Sequence, residues 1–426
     1  RYDANGALAS IRLDDPVLGE QPLSARDHSA AQYRPVTETI GSNNVTMNWS
    51  SDGYTLASMT VGSGTADAAT TSYTYGSYSN LTSITAPGNR LTQYEYNNAA
   101  FPTLPTAVVD ALNHRTEFTY TSNGFLETII NADGKVTRYS YDAYGQRTEM
   151  MVNYVAGQPG TSDQNLRTRF VYDDTGRLIL SQDPFGRCDA TLYDPAGNVT
   201  RTVRNFSPCN PDEAWQTIVS AVQSVTHNSL TPDSNITTNI EYDDAGRRVR
   251  VTDTIGRVTV YEYDGDSRVS RVVRNYMGIG VYSAAVPDEN VSTSYTYDAA
   301  GNVTTITDVL SRRDWICYDA LNRPNRLVKN ATGNGGSPTT DPCNAASYGP
   351  SSDNDKDVIT TLAYDLNSNV IDIYHPDGTQ TKFLYDALNR QKAMVQNYQD
   401  GVHVYDGSEP PDQDVITLTF YDEVGN

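Results

Sequence analysis

No run of apolar residues in the 426-residue sequence approaches the roughly 18 needed to span a bilayer, which argues against a membrane-inserted helix. Positive charge is scarce too. With 31 Lys+Arg against 52 Asp+Glu, the net charge of −21 opposes nucleic acid and anionic membrane as partners. Histidine is rarer still: His28, His114, His227, His375 and His403 are scattered, none pairs at i+3 or i+4, and neither HExxH nor CxxC occurs. A GxSxG nucleophile elbow and a P-loop are also missing. Aspartates are abundant, but turns account for them, and no catalytic pair stands out. The expectation is a protein that is not an enzyme and carries no cofactor.

Apolar residues make up only 38% of the chain, below the usual 45 to 50% (a range that counts Gly). Tyrosine fills the gap, with 30 Tyr against 8 Phe and 3 Trp. Much of the buried area must therefore come from a ring that also carries a hydroxyl, which suits a thin sheet wetted on one side better than a dry sandwich.

The tyrosines are periodic. From Tyr242 to Tyr263 the sequence reads YDDAGRRVRVTDTIGRVTVYEY, two Asp-x-x-Gly turns alternating with strand-like segments in which β-branched and aromatic residues alternate with period two. Pairs 21 residues apart recur at Tyr75/Tyr96, Tyr120/Tyr141, Tyr172/Tyr193, Tyr242/Tyr263, Tyr297/Tyr318 and Tyr364/Tyr385, and Tyr421 starts a seventh. Gly145, Gly176, Gly197, Gly246 and Gly301 close the turns after the tyrosines. Asn322 and Asn389 stand in elsewhere, as the next residue type to tolerate the left-handed region, while Ser267, Ser368 and Ala100 fit less well. Repetition of this kind indicates stacked supersecondary units.

Tyr141-Asp-Ala-Tyr-Gly145, Tyr193-Asp-Pro-Ala-Gly197, Tyr297-Asp-Ala-Ala-Gly301, Tyr421-Asp-Glu-Val-Gly425 and the opening Tyr2-Asp-Ala-Asn-Gly6 resemble the tyrosine-aspartate (YD, or RHS) repeat family. The family is found in bacterial polymorphic and insecticidal toxins, bacterial wall-associated proteins and animal teneurins. The resemblance implies an all-β fold of repeated antiparallel β-hairpins wound into a spiral sheet, as a shell, tube or rod. It supplies a scaffold and no reaction. The self-cleaving aspartate site of toxin-type relatives is not carried over to Asp183 or Asp194, which sit at ordinary turn positions.

Residues 1–48 read as a degenerate repeat start and an irregular segment, and 49–426 as the repeat spiral, with insertions at 142–171, 194–241, 264–296, 319–363 and 386–420. Tyr172 to Tyr297 spans 125 residues and Tyr297 to Tyr421 spans 124, which indicates a super-repeat of about 124 residues. Val152-Asn153-Tyr154, Arg274-Asn275-Tyr276 and Gln396-Asn397-Tyr398 mark its shorter insertions. The four cysteines occupy matching places in the two super-repeats, which favours the disulfides Cys188–Cys209 and Cys317–Cys343 and an oxidising compartment. Asn210-Pro-Asp-Glu213, followed by the stripe Trp215, Ile218, Val219, Val222, Val225, predicts a short helix over 212–225 with Asn210 as N-cap. Asp353, Asp355 and Asp357 form a weak calcium candidate, without the central Gly and terminal Glu of an EF-hand loop. Aromatic residues two before many motif tyrosines, such as Phe118, Tyr139 and Phe170, predict an aromatic ladder across neighbouring strands.

The function expected is a non-enzymatic extracellular scaffold at a bacterial surface, forming a shell or fibre. Two alternatives stand beside it. One is an adhesin binding surface glycan or protein through its insertions, and the other is the encapsulating shell of a secreted toxin. Both ends fall mid-motif, so the chain reads as an interior fragment or processed product whose partner is itself, end to end, or a longer repeat chain.

Overall fold

The computed structural model describes residues 10–15, 19–28, 35–40, 43–51, 54–64, 68–278, 281–332, 342–344, 348–349, 351–386, 388–399 and 413–421, with side chains from residue 45 onward. The fold is antiparallel β throughout, with the helix Trp215–Ser224 and two single-turn 3-10 segments among the described residues. It divides into two compact units, one of residues 1–114 with 314–426 and one of residues 115–313.

The second unit shows the construction plainly. Its fourteen strands run from Arg115–Tyr120 to Val303–Thr307, each hydrogen-bonded to the next along the chain. Three five-residue turns alternate with a longer connection. The strands Leu166–Tyr172, Leu178–Gln182, Cys188–Tyr193 and Val199–Arg204 are joined by turns at 173–177, 183–187 and 194–198, and residues 205–235 then protrude before Ile236–Tyr242. Strands leave and return alternately, so the tyrosine turns share one edge of the sheet. The insertions 153–165, 205–235 and 275–290 leave from the opposite edge.

At the motif tyrosines that end a paired strand the register shifts by one residue, for example between Ser140 and Tyr141 and between Glu262 and Tyr263, whereas Tyr96 and Tyr421 follow their strands without such a shift. Such a bulge bends the strand and raises its twist. Because the turn follows at once, Tyr-Asp is one device, with the tyrosine ending the ladder and the aspartate reversing the chain.

The first unit repeats this plan. Residues 10–49, where few strand signals are legible, form the strands Ser10–Asp15, Gly19–His28, Pro35–Ile40 and Asn43–Trp49, each antiparallel to the next. The irregular segment expected before residue 49 is thus largely paired sheet, since a ladder held by backbone bonds needs no apolar alternation. Trp49 sits at a register shift, the place a motif tyrosine takes elsewhere. The motif Tyr2-Asp-Ala-Asn-Gly6 and residues 422–425 of the last motif lie outside the described residues.

The stretches counted as insertions each begin with a turn and a returning strand. The protruding parts are 153–165, 205–235, 275–290, 330–357 and 397–414, the last three only partly described. Most strand residues are half-buried. A dense core forms where the helix lies on the sheet, with Ile218 and Val222 against Ile179, Leu180, Ala190, Leu192 and Val203. The helix begins at Trp215, later than expected. Asn210 accepts from the Asp212 backbone N–H (3.1 Å) in a turn of its own and caps no helix end, so the N-cap place falls to Ala214.

Candidate functional site

Each described motif aspartate is consumed by its own turn. At Asp243 the backbone closes Asp243 N–H to the Arg247 carbonyl and Gly246 N–H to the Asp243 carbonyl, both 2.9 Å. Oδ1 accepts from Ala245 N–H (3.1 Å) and Arg247 N–H (2.8 Å), and Oδ2 from Arg247 Nε (2.8 Å). The same pattern holds at Asp264 with Arg268, Asp319 with Arg323 and Asp386 with Arg390, while Asn198 and Asn302 take the arginine's place after Asp194 and Asp298. These hydrogen bonds favour the charged carboxylate. That of Asp243 is held below the ordinary range chiefly by the Arg247 guanidinium, and those of Asp194 and Asp298 chiefly by the Asn198 and Asn302 amides. This fifth turn residue is a functional position that the Asp-x-x-Gly reading missed. The signal was present, as an Arg, Asn or Gln directly after most of the turn glycines.

Gly145 carries both constraints of the fourth turn position. Its φ is +82°, and an added Cβ would lie 2.5 Å from the ring of Phe125, which stacks on Tyr141 at 5.1 Å. Gly176, Gly197, Gly246 and Gly301 share the left-handed conformation, as do Asn322, Asn389, Ser267 and Ser368. Ala100 does not, because a different loop follows Tyr96.

The hydroxyls of ten motif tyrosines are consumed as well. Tyr141 donates to the Leu126 carbonyl (2.8 Å), Tyr193 to Leu178 (2.9 Å), Tyr263 to Arg248 (2.7 Å) and Tyr385 to Val370 (3.0 Å), in each case the first residue of the preceding strand. Tyr96, Tyr172, Tyr242, Tyr297, Tyr364 and Tyr421 follow the same rule. Tyr75, Tyr120 and Tyr318 end their strands at the same register shift. Burial raises the hydroxyl pKa of Tyr141, Tyr172 and Tyr385, which keeps the donor protonated.

The rings do not stack on one another as a ladder. Guanidinium groups come between them: Arg177, Arg247, Arg268, Arg323 and Arg390 lie 4.5 to 5.0 Å from the centroids of Tyr193, Tyr263, Tyr297, Tyr364 and Tyr421. Arg147 lies between Tyr139 (5.8 Å) and Phe170 (4.7 Å). The reason is spacing. Motif tyrosines fall on alternate strands, too far apart for ring contact, and the arginine of the turn between them fills the gap.

A second uniform device closes the insertions. The residues Asn153, Asn205, Asn275, Asn330 and Asn397 open them, and Asn165, Asn235, Asn290, Asp357 and Asp414 close them, all at positive φ. In each pair the closing N–H donates to the opening carbonyl, at 3.0 to 3.2 Å. The closing side chain then accepts from the N–H two residues past the opening one, at Val155, Ser207, Met277, Thr332 and Gln399. Insertions of very different length thus share one neck. Asn-Tyr in the shorter insertions hinted at its first half, and the closing Asn or Asp left no readable trace.

The disulfides join Cys188 to Cys209 and Cys317 to Cys343, the pairs expected from the super-repeat. The first ties the start of the 205–235 insertion to the sheet under the helix. Asp353, Asp355 and Asp357 are not brought together as calcium ligands. Asp353 pairs with Lys356 (2.7 Å), Asp355 is exposed, and Asp357 is buried in a neck, bonded to Tyr348 and Thr332. No cluster of three metal-ligating side chains occurs among the described residues.

The family model for the RHS repeat matches residues 120–153, 242–275 and 287–313. The chain carries RHS repeats. The first two matches run from a motif tyrosine to a neck asparagine, so the RHS unit is the uniform part of the fold, and the body of the insertion lies outside it. No curated protein matches the sequence. The crystal structure of TcdB2-TccC3-TEV is similar with a TM-score of 0.59 at 14% identity, over 93% of this chain and 20% of that one. That of TcdB2-TccC3-Cdc42 gives 0.55 at 14% identity, over 97% and 21%. At such identity the likeness is one of fold, and this chain spans about a fifth of the length of those chains.

Proposed function

We propose that this chain is a structural scaffold, a stretch of the wall of an RHS shell in a secreted protein, with no catalysis of its own. The observation that carries this reading is that its reactive-looking groups are spent on the fold, the motif carboxylates on turn amides and the tyrosine hydroxyls on strand carbonyls. The likeness to the TcdB2-TccC3 structures supports a wall whose partners are further components of an assembly. Two disulfides support an oxidising destination, and no described helix is long and apolar enough to cross a membrane. Electron microscopy of the full chain tests the proposal. Curved plates or closed hollow particles are the expected result. Unbranched fibres lengthening with concentration would replace the shell by an end-to-end polymer.

A further inference from the structure

The two edges of the sheet in residues 115–313 present different side chains to solvent. On the insertion edge, five successive connections each hold out a large apolar residue: Phe185, Leu230, Ile255, Met277 with Val281, and Leu310, all between 56 and 87% exposed. The tyrosine turns over the same strands carry Thr175, Ala196, Ala245, Asp266 and Ala300 at their tips. Large apolar side chains gathered on one edge mark an interaction surface. Charge is one-sided as well. The insertions 153–165, 205–235 and 275–290 hold six acids and no lysine or arginine. Asp212 pairs with Arg169, but Asp233, Asp288 and Glu289 have no ion-pair partner among the described residues. Asp233 follows Leu230 by three residues, and the Met277 N–H donates to Asn290 (3.0 Å), which brings Met277 beside Asp288 and Glu289. Arg204 and Arg274 end strands, at the sheet side of the necks.

Charge and spacing select the partner. A second copy would bring acidic insertions against acidic insertions, and an anionic membrane would be repelled in the same way. The complement is a basic surface that also carries apolar side chains. Neighbouring connections on one edge are two strands apart, about 10 Å, so the row from Phe185 to Leu310 runs for about 40 Å. Seven residues of an α-helix rise by about the same 10 Å. A helix laid along the edge therefore meets each connection with one apolar residue per two turns, the spacing by which helices anchor in apolar sites. We propose that the insertion edge of this unit docks a basic amphipathic helix of a partner protein, its apolar stripe on Phe185, Ile255, Met277 and Leu310 and its cations on Asp233, Asp288 and Glu289.

The test titrates the full chain, disulfides intact, into a labelled helical peptide of about four Leu-Lys-Lys-Leu-Leu-Lys-Leu repeats, followed by fluorescence anisotropy. Two control peptides replace every Lys by Glu or every Leu by Ser. The first peptide should bind, the Glu peptide should not, and the Ser peptide should bind at least tenfold more weakly. Phe185→Ser with Ile255→Ser should weaken binding roughly tenfold. Both residues are exposed turn tips, so the melting temperature should stay unchanged. Asp233→Asn with Asp288→Asn and Glu289→Gln should weaken binding as much and flatten its salt dependence. Asp174→Asn with Asp244→Asn, exposed on the tyrosine edge, should leave binding unchanged. The proposal is overturned if the first peptide does not bind, if the Ser or Glu peptide binds as tightly, if either insertion-edge variant binds as the parent does, or if the tyrosine-edge variant weakens binding as much. None of these outcomes bears on the shell, which microscopy tests separately.

Discussion

In the unit of residues 115–313 the tight turns and the insertion necks solve one problem with different chemistry. Both must reverse a strand while satisfying the backbone groups that the ladder leaves behind. The tyrosine turns use a carboxylate, which accepts two amide N–H groups and a side-chain donor at once. The necks at Asn165, Asn235 and Asn290 use a neutral amide for the same acceptance. A charged acceptor makes the stronger bond, and in this unit it holds turns of one fixed length. A neutral acceptor at a neck holds any length between 153–165 and 205–235. Regularity and variability are thus assigned to opposite edges of one sheet.

Acid should separate the two devices most sharply. The turn carboxylates of Asp194, Asp243 and Asp298 have lowered pKa values in the folded chain. Their contribution is therefore complete above the unfolded value near pH 4 and is lost as pH falls through the depressed folded values. Stability should be level from about pH 7 to 5 and fall steeply below about 4. Hydrogen exchange should show the amides of Ala245 and Arg247 opening before that of Met277. Simultaneous opening would mean that the necks depend on the turns.

Removing Cys188–Cys209 by a double Cys→Ser substitution should cost about 3 kcal/mol, read as a lower melting temperature with loss of helix signal. Full retention of stability would show that the packing of Ile218 and Val222 holds this insertion unaided. Gly145→Ala imposes both an unfavourable φ and a clash with Phe125 and should cost about 2 kcal/mol in chemical denaturation. An unchanged midpoint would show that the turn shifts freely. Tyr141→Phe keeps the ring and leaves the Leu126 carbonyl unpaired, at about 1 kcal/mol. Its hydroxyl pKa is raised by burial, so that contribution is complete below about pH 10 and lost as pH rises through the folded value. The variant should show a smaller alkaline loss than the parent. Smallest of all, Asn290→Asp keeps the neck acceptor and should change stability by less than about 0.5 kcal/mol at neutral pH. It should also make the Met277 amide acid-sensitive, turning a neck into a turn.

The strand and turn period, the all-β class, both disulfide pairs and a helix within the 205–235 insertion were legible from residues alone. A local device repeated many times writes its own signal: tyrosine, aspartate and glycine each answer a constraint within five residues. The helix start was misplaced because Asn210 can cap either a turn or a helix, and the chain around it decides which. Strands in residues 10–49 were missed because backbone pairing leaves no apolar pattern. The partners of each group belong to the tertiary structure alone. Which carbonyl receives the Tyr263 hydroxyl, which ring Arg247 covers, and how Asn290 finds Asn275 across an insertion are contacts between strands or across loops. Spacing in sequence does not encode them, because they exist only once the register of the sheet is set.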